Sequence, residues 1–208
     1  MEQQVLIKLD TVVLEGTLGL PAAAKSAVIF AHGSGSSRFS PRNTFVAGVL
    51  QQAGIGTLLF DLLTREEDRD YERRFDIDLL ARRLAGATLW LRERPEAKGM
   101  SLGYFGASTG AAAALQGASL MGEEIKAVVS RGGRPDLAMP YLEQVLSPTL
   151  LIVGELDREV LQLNRQAFAH LTAEKELSVV PGATHLFEEP GTLEQAAKLA
   201  QQWFVRYL

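Results

Sequence analysis

A mostly parallel β-sheet of about eight strands, with helices on both faces, is the fold this sequence predicts, and three observations carry the prediction. Short runs such as Ala27-Val28-Ile29-Phe30-Ala31 and Thr57-Leu58-Leu59-Phe60 are apolar throughout, as strands buried on both faces must be. The stretches between them repeat apolar residues at the helical period, the mark of a helix with one buried face. Several strand candidates also run directly into turn-rich loops, which is where an open α/β sheet gathers its ligands.

Taken in order, Val5 to Leu9 and Val12 to Leu18 are β-branched-rich runs parted near Asp10 and closed by Pro21, and they read as two antiparallel strands at one edge. Ala27 to Ala31 is a buried strand followed at once by His32-Gly33-Ser34-Gly35-Ser36-Ser37, which is loop chemistry. Asn43 to Ala53 carries Phe45, Val46, Val49 and Leu50 at helical spacing, with Gly54 as its stop. Thr57 to Phe60 is the next strand; the mixed-sign stretch from Arg65 to Arg74 reads as a solvated loop. Ile77, Leu80, Leu84, Ala87 and Leu91 mark one face of a helix ended by Pro95 and Gly99. Strands at Leu102 to Phe105, Ile125 to Val129, Leu150 to Val153 and Leu177 to Val180 follow, with helices over Ser108 to Leu120 and Leu193 to Tyr207. The run from Ser130 to the strand at Leu150 is too short to hold a cap domain.

With 208 residues, 47% of them hydrophobic, the chain can close one substantial core, and a single domain over 1–208 is expected. A net charge of -4 supplies no basic field to draw nucleic acid or an anionic membrane. The absence of cysteine excludes disulfides, a thiolate nucleophile and cysteine metal sites. Met1-Glu2-Gln3-Gln4-Val5 lacks the basic and apolar regions of a signal peptide, and no run approaches the roughly 20 residues of a membrane helix. A soluble cytoplasmic protein, monomer or homodimer, is the expectation.

The chemistry gathers around Gly106-Ala107-Ser108-Thr109-Gly110, a GxSxG pentapeptide between a strand and an alanine-rich helix. Such a junction holds its serine on a sharp turn with Oγ facing a substrate, although serine also caps helices. A serine hydroxyl needs a base, and histidine has the suitable pKa. His170 falls inside a helical pattern and His32 can simply brace the glycine-rich loop, whereas His185 sits in the turn-rich loop Pro181-Gly182-Ala183-Thr184-His185 after the last strand. The base needs an orienting carboxylate, for which Asp157 after the strand Leu150 to Val153 is preferred, with Asp136 and then Glu155 in reserve. Asp157 is equally placed to cap the helix starting at Arg158. Backbone N–H groups of Thr109 and Ser34, with Gly33 next, are the candidate oxyanion donors. The loop at His32 lacks both the P-loop ending and the GxGxxG spacing of phosphate and dinucleotide sites. Three scattered histidines show no metal-ligand spacing, and the chemistry calls for no cofactor or metal.

Ser108, Asp157 and His185 fall in the chain order associated with the α/β-hydrolase arrangement, each after a separate strand candidate. Phe30-Ala31-His32-Gly33-Ser34-Gly35, the Gly106 to Gly110 elbow, Leu151 to Asp157 and Gly182-Ala183-Thr184-His185-Leu186-Phe187 together resemble the small, lidless, dienelactone hydrolase-like branch of that superfamily. Ser36 to Asn43 and Ser130 to Asp136 are similar to a subgroup of predicted hydrolases within it. The resemblance spans nearly the whole chain and implies carboxylic ester hydrolysis. Dienelactone hydrolases proper use a cysteine nucleophile, so Ser108 turns the expectation from lactones toward small or short-acyl esters. Thioester or lactone hydrolysis and acyl transfer would use the same residues, and a binding protein that retains the triad is the alternative of another class. Arg38, Arg42, Arg131 and Arg134, on expected loops near the active edge, are candidates for pairing with a substrate carboxylate, against the ordinary reading of solvated or salt-bridged arginines. Met139, Tyr141 and Leu142 are candidates to line an acyl pocket, or to pack as core.

Overall fold

The computed structural model describes residues 2–9 and 11–208. Eight strands form one sheet in the order β1-β2-β4-β3-β5-β6-β7-β8. The strands are β1 (Glu2–Lys8), β2 (Val13–Gly19), β3 (Ser26–Ala31), β4 (Gly56–Phe60), β5 (Ser101–Ala107), β6 (Ile125–Arg131), β7 (Thr149–Gly154) and β8 (Lys175–Val180). Both pairings of β2 are antiparallel and all others are parallel, so the expected edge hairpin precedes a parallel sheet. The turn expected at Asp10, and Met1 at the start of the signal-peptide reading, lie outside the described residues.

Helices α1 (Pro41–Gln52), α2 (Ile77–Arg92), α3 (Thr109–Met121), α4 (Arg158–His170) and α5 (Thr192–Tyr207) connect and close the sheet. Val46, Ala47 and Leu50 of α1 join Ala196, Ala200, Trp203 and Phe204 of α5 in a core over one face. Leu80 and Leu84 of α2 and the alanines of α3 build the core over the other. Each such Leu or Phe removed from water contributes about 1.5–3 kcal/mol, which is why the apolar-throughout strands were readable as buried. Among the described residues no helix is long and apolar enough to cross a membrane.

Some boundaries differ from expectation for identifiable reasons. Helix α1 begins at Pro41, because Ser40 supplies an N-cap whose Oγ accepts from Asn43 N–H and proline suits the first helical position. The charged stretch forms two short 3₁₀ turns, Glu67–Arg69 and Glu72–Phe75, laced by Arg74–Asp68 and Arg83–Glu67 pairs. Strand β6 runs on to Arg131, paired with Ala107 and Ile152, so Arg131 ends a strand rather than sitting in a loop.

Between β6 and β7 only a short 3₁₀ segment, Pro135–Gln144, intervenes, and among the described residues no cap domain covers the sheet edge. The chain leaves β3 toward β4 on one side and returns to β5 on the other. That reversal opens a crevice at the carboxyl ends of β3 and β5, the position where open α/β sheets hold ligands.

Candidate active site

Ser108 stands in that crevice, between β5 and α3, with φ 52° and ψ −123°. Left-handed backbone is costly for a side-chain-bearing residue, on the order of 1–3 kcal/mol, and persists only where the surroundings over-determine it. Here they do. Ser108 N–H donates to Arg131 O at 3.3 Å, and its own carbonyl accepts from Ala111 and Arg134 N–H. A Cβ at Gly106 would collide with the backbone of Gly110 and Ala111, and one at Gly110 with the carbonyls of Ala31 and His32. Both glycines are therefore required by the close approach of strand and helix. The Ser108 side chain makes no capping hydrogen bond to α3.

His185 follows β8, and its Nδ1 lies 2.6 Å from Asp157 Oδ2. The loop that carries it is fixed by Glu189, which accepts from Thr184 N–H and hydroxyl at 3.0 and 2.6 Å. Those bonds hold the Glu189 carboxyl below its ordinary pKa. Asp157 occupies the N-cap position of α4 without capping it, because its carboxylate is turned to the imidazole. The reserve carboxylates are engaged elsewhere. Asp136 takes a two-pronged pair from Arg134 at 2.9 and 2.8 Å, and Glu155 accepts from Gly182 N–H at 2.9 Å.

Ser108 and His185 line one cleft of about 270 Å³ together with Gly33, Ser34, Ser36, Ser40, Arg42, Asn43, Arg131 and Leu186. Thr109 opens α3, so its N–H has no acceptor within the helix. Ser34 N–H, the other expected oxyanion donor, is instead donated to Thr109 Oγ1 at 2.8 Å. The hydroxyl of a threonine at the first helical position reaches the facing loop, which the pentapeptide pattern alone did not reveal.

The substrate-binding candidates divide. Arg38 is tied to Asp61 and, at 2.6 Å, to Glu15; it lies outside the cleft and braces the loop after β3 against β2 and β4. Arg134 is occupied by Asp136. Leu142 is fully buried, Met139 packs against the core, and Tyr141 reaches toward Asp78, so none of the three lines the cleft. The expected acyl pocket is absent there because the 3₁₀ segment directs Leu142 and Met139 into the core and Tyr141 toward Asp78 on α2 rather than toward Ser108.

Arg42 and Arg131 do line the cleft. Arg131 is 7% exposed, and burial, followed by the like charge of Arg42, lowers its pKa to about 10. Its Nη2 donates to Asn43 Oδ1 at 3.3 Å. Asn43 was missed as a site residue; its only signal was its place in the Ser36 to Asn43 segment, where it reads as an ordinary helix start.

His32 is buried, with Nδ1 2.9 Å from Gly33 O and Nε2 accepting from Leu62 N–H at 3.1 Å. Burial lowers its pKa below 6.5. His170, at the end of α4, lies near Glu143, away from the cleft. Among the described residues no cluster of potential metal ligands occurs.

Residues 14–208 match the dienelactone hydrolase family. Two Mycobacterium tuberculosis proteins with the provisional name phosphoribosyl transferase are 55% identical over 207 residues, all of this chain but 47% of each relative. The chain thus spans about half the length of the curated relatives it matches. A crystal structure of a dienelactone hydrolase from Anabaena variabilis superimposes with a TM-score of 0.97 at 53% identity, covering 100% of this chain and 98% of that one. The α/β-hydrolase GrgF of a Penicillium species shares the fold, with a TM-score of 0.81 at 18% identity, covering 100% and 99%. The fold is that of the α/β-hydrolases, and the chain belongs to the dienelactone hydrolase family.

Proposed function

We propose that this chain is a serine esterase acting on small carboxylic esters. One observation carries the reading: Ser108, held on a strained elbow, shares a cleft with an imidazole already paired to a carboxylate at 2.6 Å. Ser108 Oγ attacks the ester carbonyl carbon while His185 Nε2 takes its proton. Asp157 holds the tautomer with Nδ1 protonated and stabilises the imidazolium. The tetrahedral oxyanion is met by Thr109 N–H and by Ser34 N–H once the latter is shared with or released from Thr109 Oγ1. The alcohol departs with the proton from His185. Water, activated by the same imidazole, then frees the acid and restores Ser108.

The uncapped crevice and its modest volume support small or short-acyl esters over long chains. Thioester hydrolysis and acyl transfer need the same residues, so a panel of acyl donors and acceptors separates them. The phosphoribosyl transferase name belongs to proteins of which this chain matches about half, and it does not displace the hydrolase reading.

The test is hydrolysis of short p-nitrophenyl esters together with labelling of Ser108 by a fluorophosphonate. Ser108→Ala should lose the label and lower kcat by about 10⁴ to 10⁶. Turnover that survives this substitution intact would remove Ser108 from the mechanism. Absence of both turnover and label in the native chain would favour a binding protein.

A further inference from the structure

We propose that the side-chain hydroxyl of Thr109 is a further oxyanion donor, so that Thr109 serves the reaction through its O–H as well as its N–H. The inference rests on the esterase reading and concerns how that site holds the charge of the tetrahedral intermediate.

Thr109 is 4% exposed, and its Oγ1 accepts the Ser34 N–H at 2.8 Å. Among the described residues its own hydroxyl proton has no acceptor. Other buried threonines give that proton to the backbone: Thr88, Thr149 and Thr192 donate to the carbonyls of Leu84, Ser147 and Glu189 at 2.9, 3.0 and 2.7 Å. The difference follows from position. Thr88 has a helical turn behind it and Thr192 a tight turn, each offering a carbonyl three or four residues back. Thr109 is preceded by strand β5, whose backbone pairs with β3 and β6, and by Ser108, whose carbonyl already takes the N–H groups of Ala111 and Arg134. The proton is left for something that enters the crevice.

The nucleophile is close by. A Cβ at Gly33 would lie 3.0 Å from Ser108 Cβ and 3.7 Å from its Oγ, so the loop after β3 passes directly over the elbow. Ser34 comes next, and its N–H points across to Thr109 Oγ1. An oxyanion formed on Ser108 meets Thr109 N–H, and the hydroxyl of the same residue stands between it and Ser34 N–H. Accepting the Ser34 N–H polarises the hydroxyl and makes it a better donor. Its hydrogen turns about the Cβ–Oγ1 bond with no heavy atom moving, so the donors are in place before charge develops. The proton stays on Oγ1 throughout. Ser34 N–H remains shared, and its pull reaches the oxyanion largely through the hydroxyl.

Removing the hydroxyl separates this arrangement from one with two backbone donors alone. Thr109→Val keeps the shape, deletes the O–H and frees Ser34 N–H. With the hydroxyl as donor, kcat on p-nitrophenyl butyrate should fall by about 10² while KM stays within about threefold, since the ground-state carbonyl carries little charge. Thr109→Ser, which restores the O–H, should recover most of that loss. Turnover held or raised in Thr109→Val would overturn the proposal and leave the esterase reading intact. A crystal structure of the fluorophosphonate adduct, formed as Ser108 Oγ bonds phosphorus and fluoride leaves, distinguishes a donor from a mere tether for the loop. The phosphonyl oxygen should lie within about 3.0 Å of Thr109 Oγ1, the range of an O–H donor. Any separation out of hydrogen-bond reach would overturn the proposal. Should Thr109→Val not fold, Thr109→Ala measured against Thr109→Ser carries the comparison, and equal turnover of the two counts against the hydroxyl. A native chain that neither turns over the ester nor takes the label removes the esterase reading itself, and the hydroxyl's role with it.

Discussion

Asp157 illustrates how one side chain is forced to choose between two stabilising uses. At the N-cap of α4 its carboxylate has helix N–H groups within reach, a bond worth roughly 0.5–2 kcal/mol. It turns instead to His185, where it makes a short charge-assisted hydrogen bond of 2.6 Å. Asparagine at this position would keep the shape but present the wrong partner to Nδ1–H, so Asp157→Asn should lower kcat by up to about 10⁴ with little change in stability. Asp136→Asn should have a far smaller effect, since Asp136 is consumed by Arg134. Steady-state kinetics on both variants check the assignment, and a larger loss in Asp136→Asn would reverse it. The placement of Ser108 and Asp157 was readable because each follows a strongly apolar strand, and that of His185 because it sits among turn residues after the short run ending at Val180. The burial of Arg131 was not readable, since nothing in the sequence marks a guanidinium as buried until the strand end, Phe105 and Phe187 are assembled around it.

The loop after β3 shows the same economy in a connecting element. His32 joins it to the start of the next crossover, donating from Nδ1 to Gly33 O and accepting at Nε2 from Leu62 N–H. Only the neutral ring can do both. Burial lowers its native pKa, whereas the unfolded chain titrates near 6.5. Between those values the unfolded state binds more protons, so stability rises with pH. This contribution is fully present above about pH 6.5 and is lost as pH falls through 6.5 toward the native value, at no more than about 1.4 kcal/mol per pH unit. Urea midpoints at about pH 7.5 and about pH 5.5 should therefore fall more steeply for the native chain than for His32→Asn, which does not titrate. Parallel loss in both would assign the acid sensitivity to other groups. The brace was foreseeable as a plain structural role for His32. The Thr109 contact to Ser34 was not, because it joins segments 75 residues apart through side-chain direction.

Across the molecule, the cleft draws on four strand ends, with the loop after β3, Ser108 after β5, Arg131 on β6 and His185 after β8, and a fifth supplies Asp157 after β7, which pairs with His185. The two helical layers hold those ends in register, yet their packing lies away from the chemistry. Phe204 on α5 is fully buried, and its ring fills the space left by Gly103 on β5. Ser108 lies five positions beyond Gly103, roughly 16 Å of extended chain. Phe204→Ala should cost about 3–5 kcal/mol through lost burial and the cavity it leaves, a large share of the roughly 5–15 kcal/mol that holds a typical domain together. At a temperature where the variant is still folded, kcat/KM should stay within about twofold of the native value, because strain from a relaxed cavity fades before it reaches the opposite sheet edge. Urea unfolding and ester turnover measured on one preparation separate the two effects. A loss of turnover beyond about tenfold in fully folded protein would mean that α5 positions the strand ends as well as covering the sheet, and the division between scaffold and site drawn here would have to move to include it.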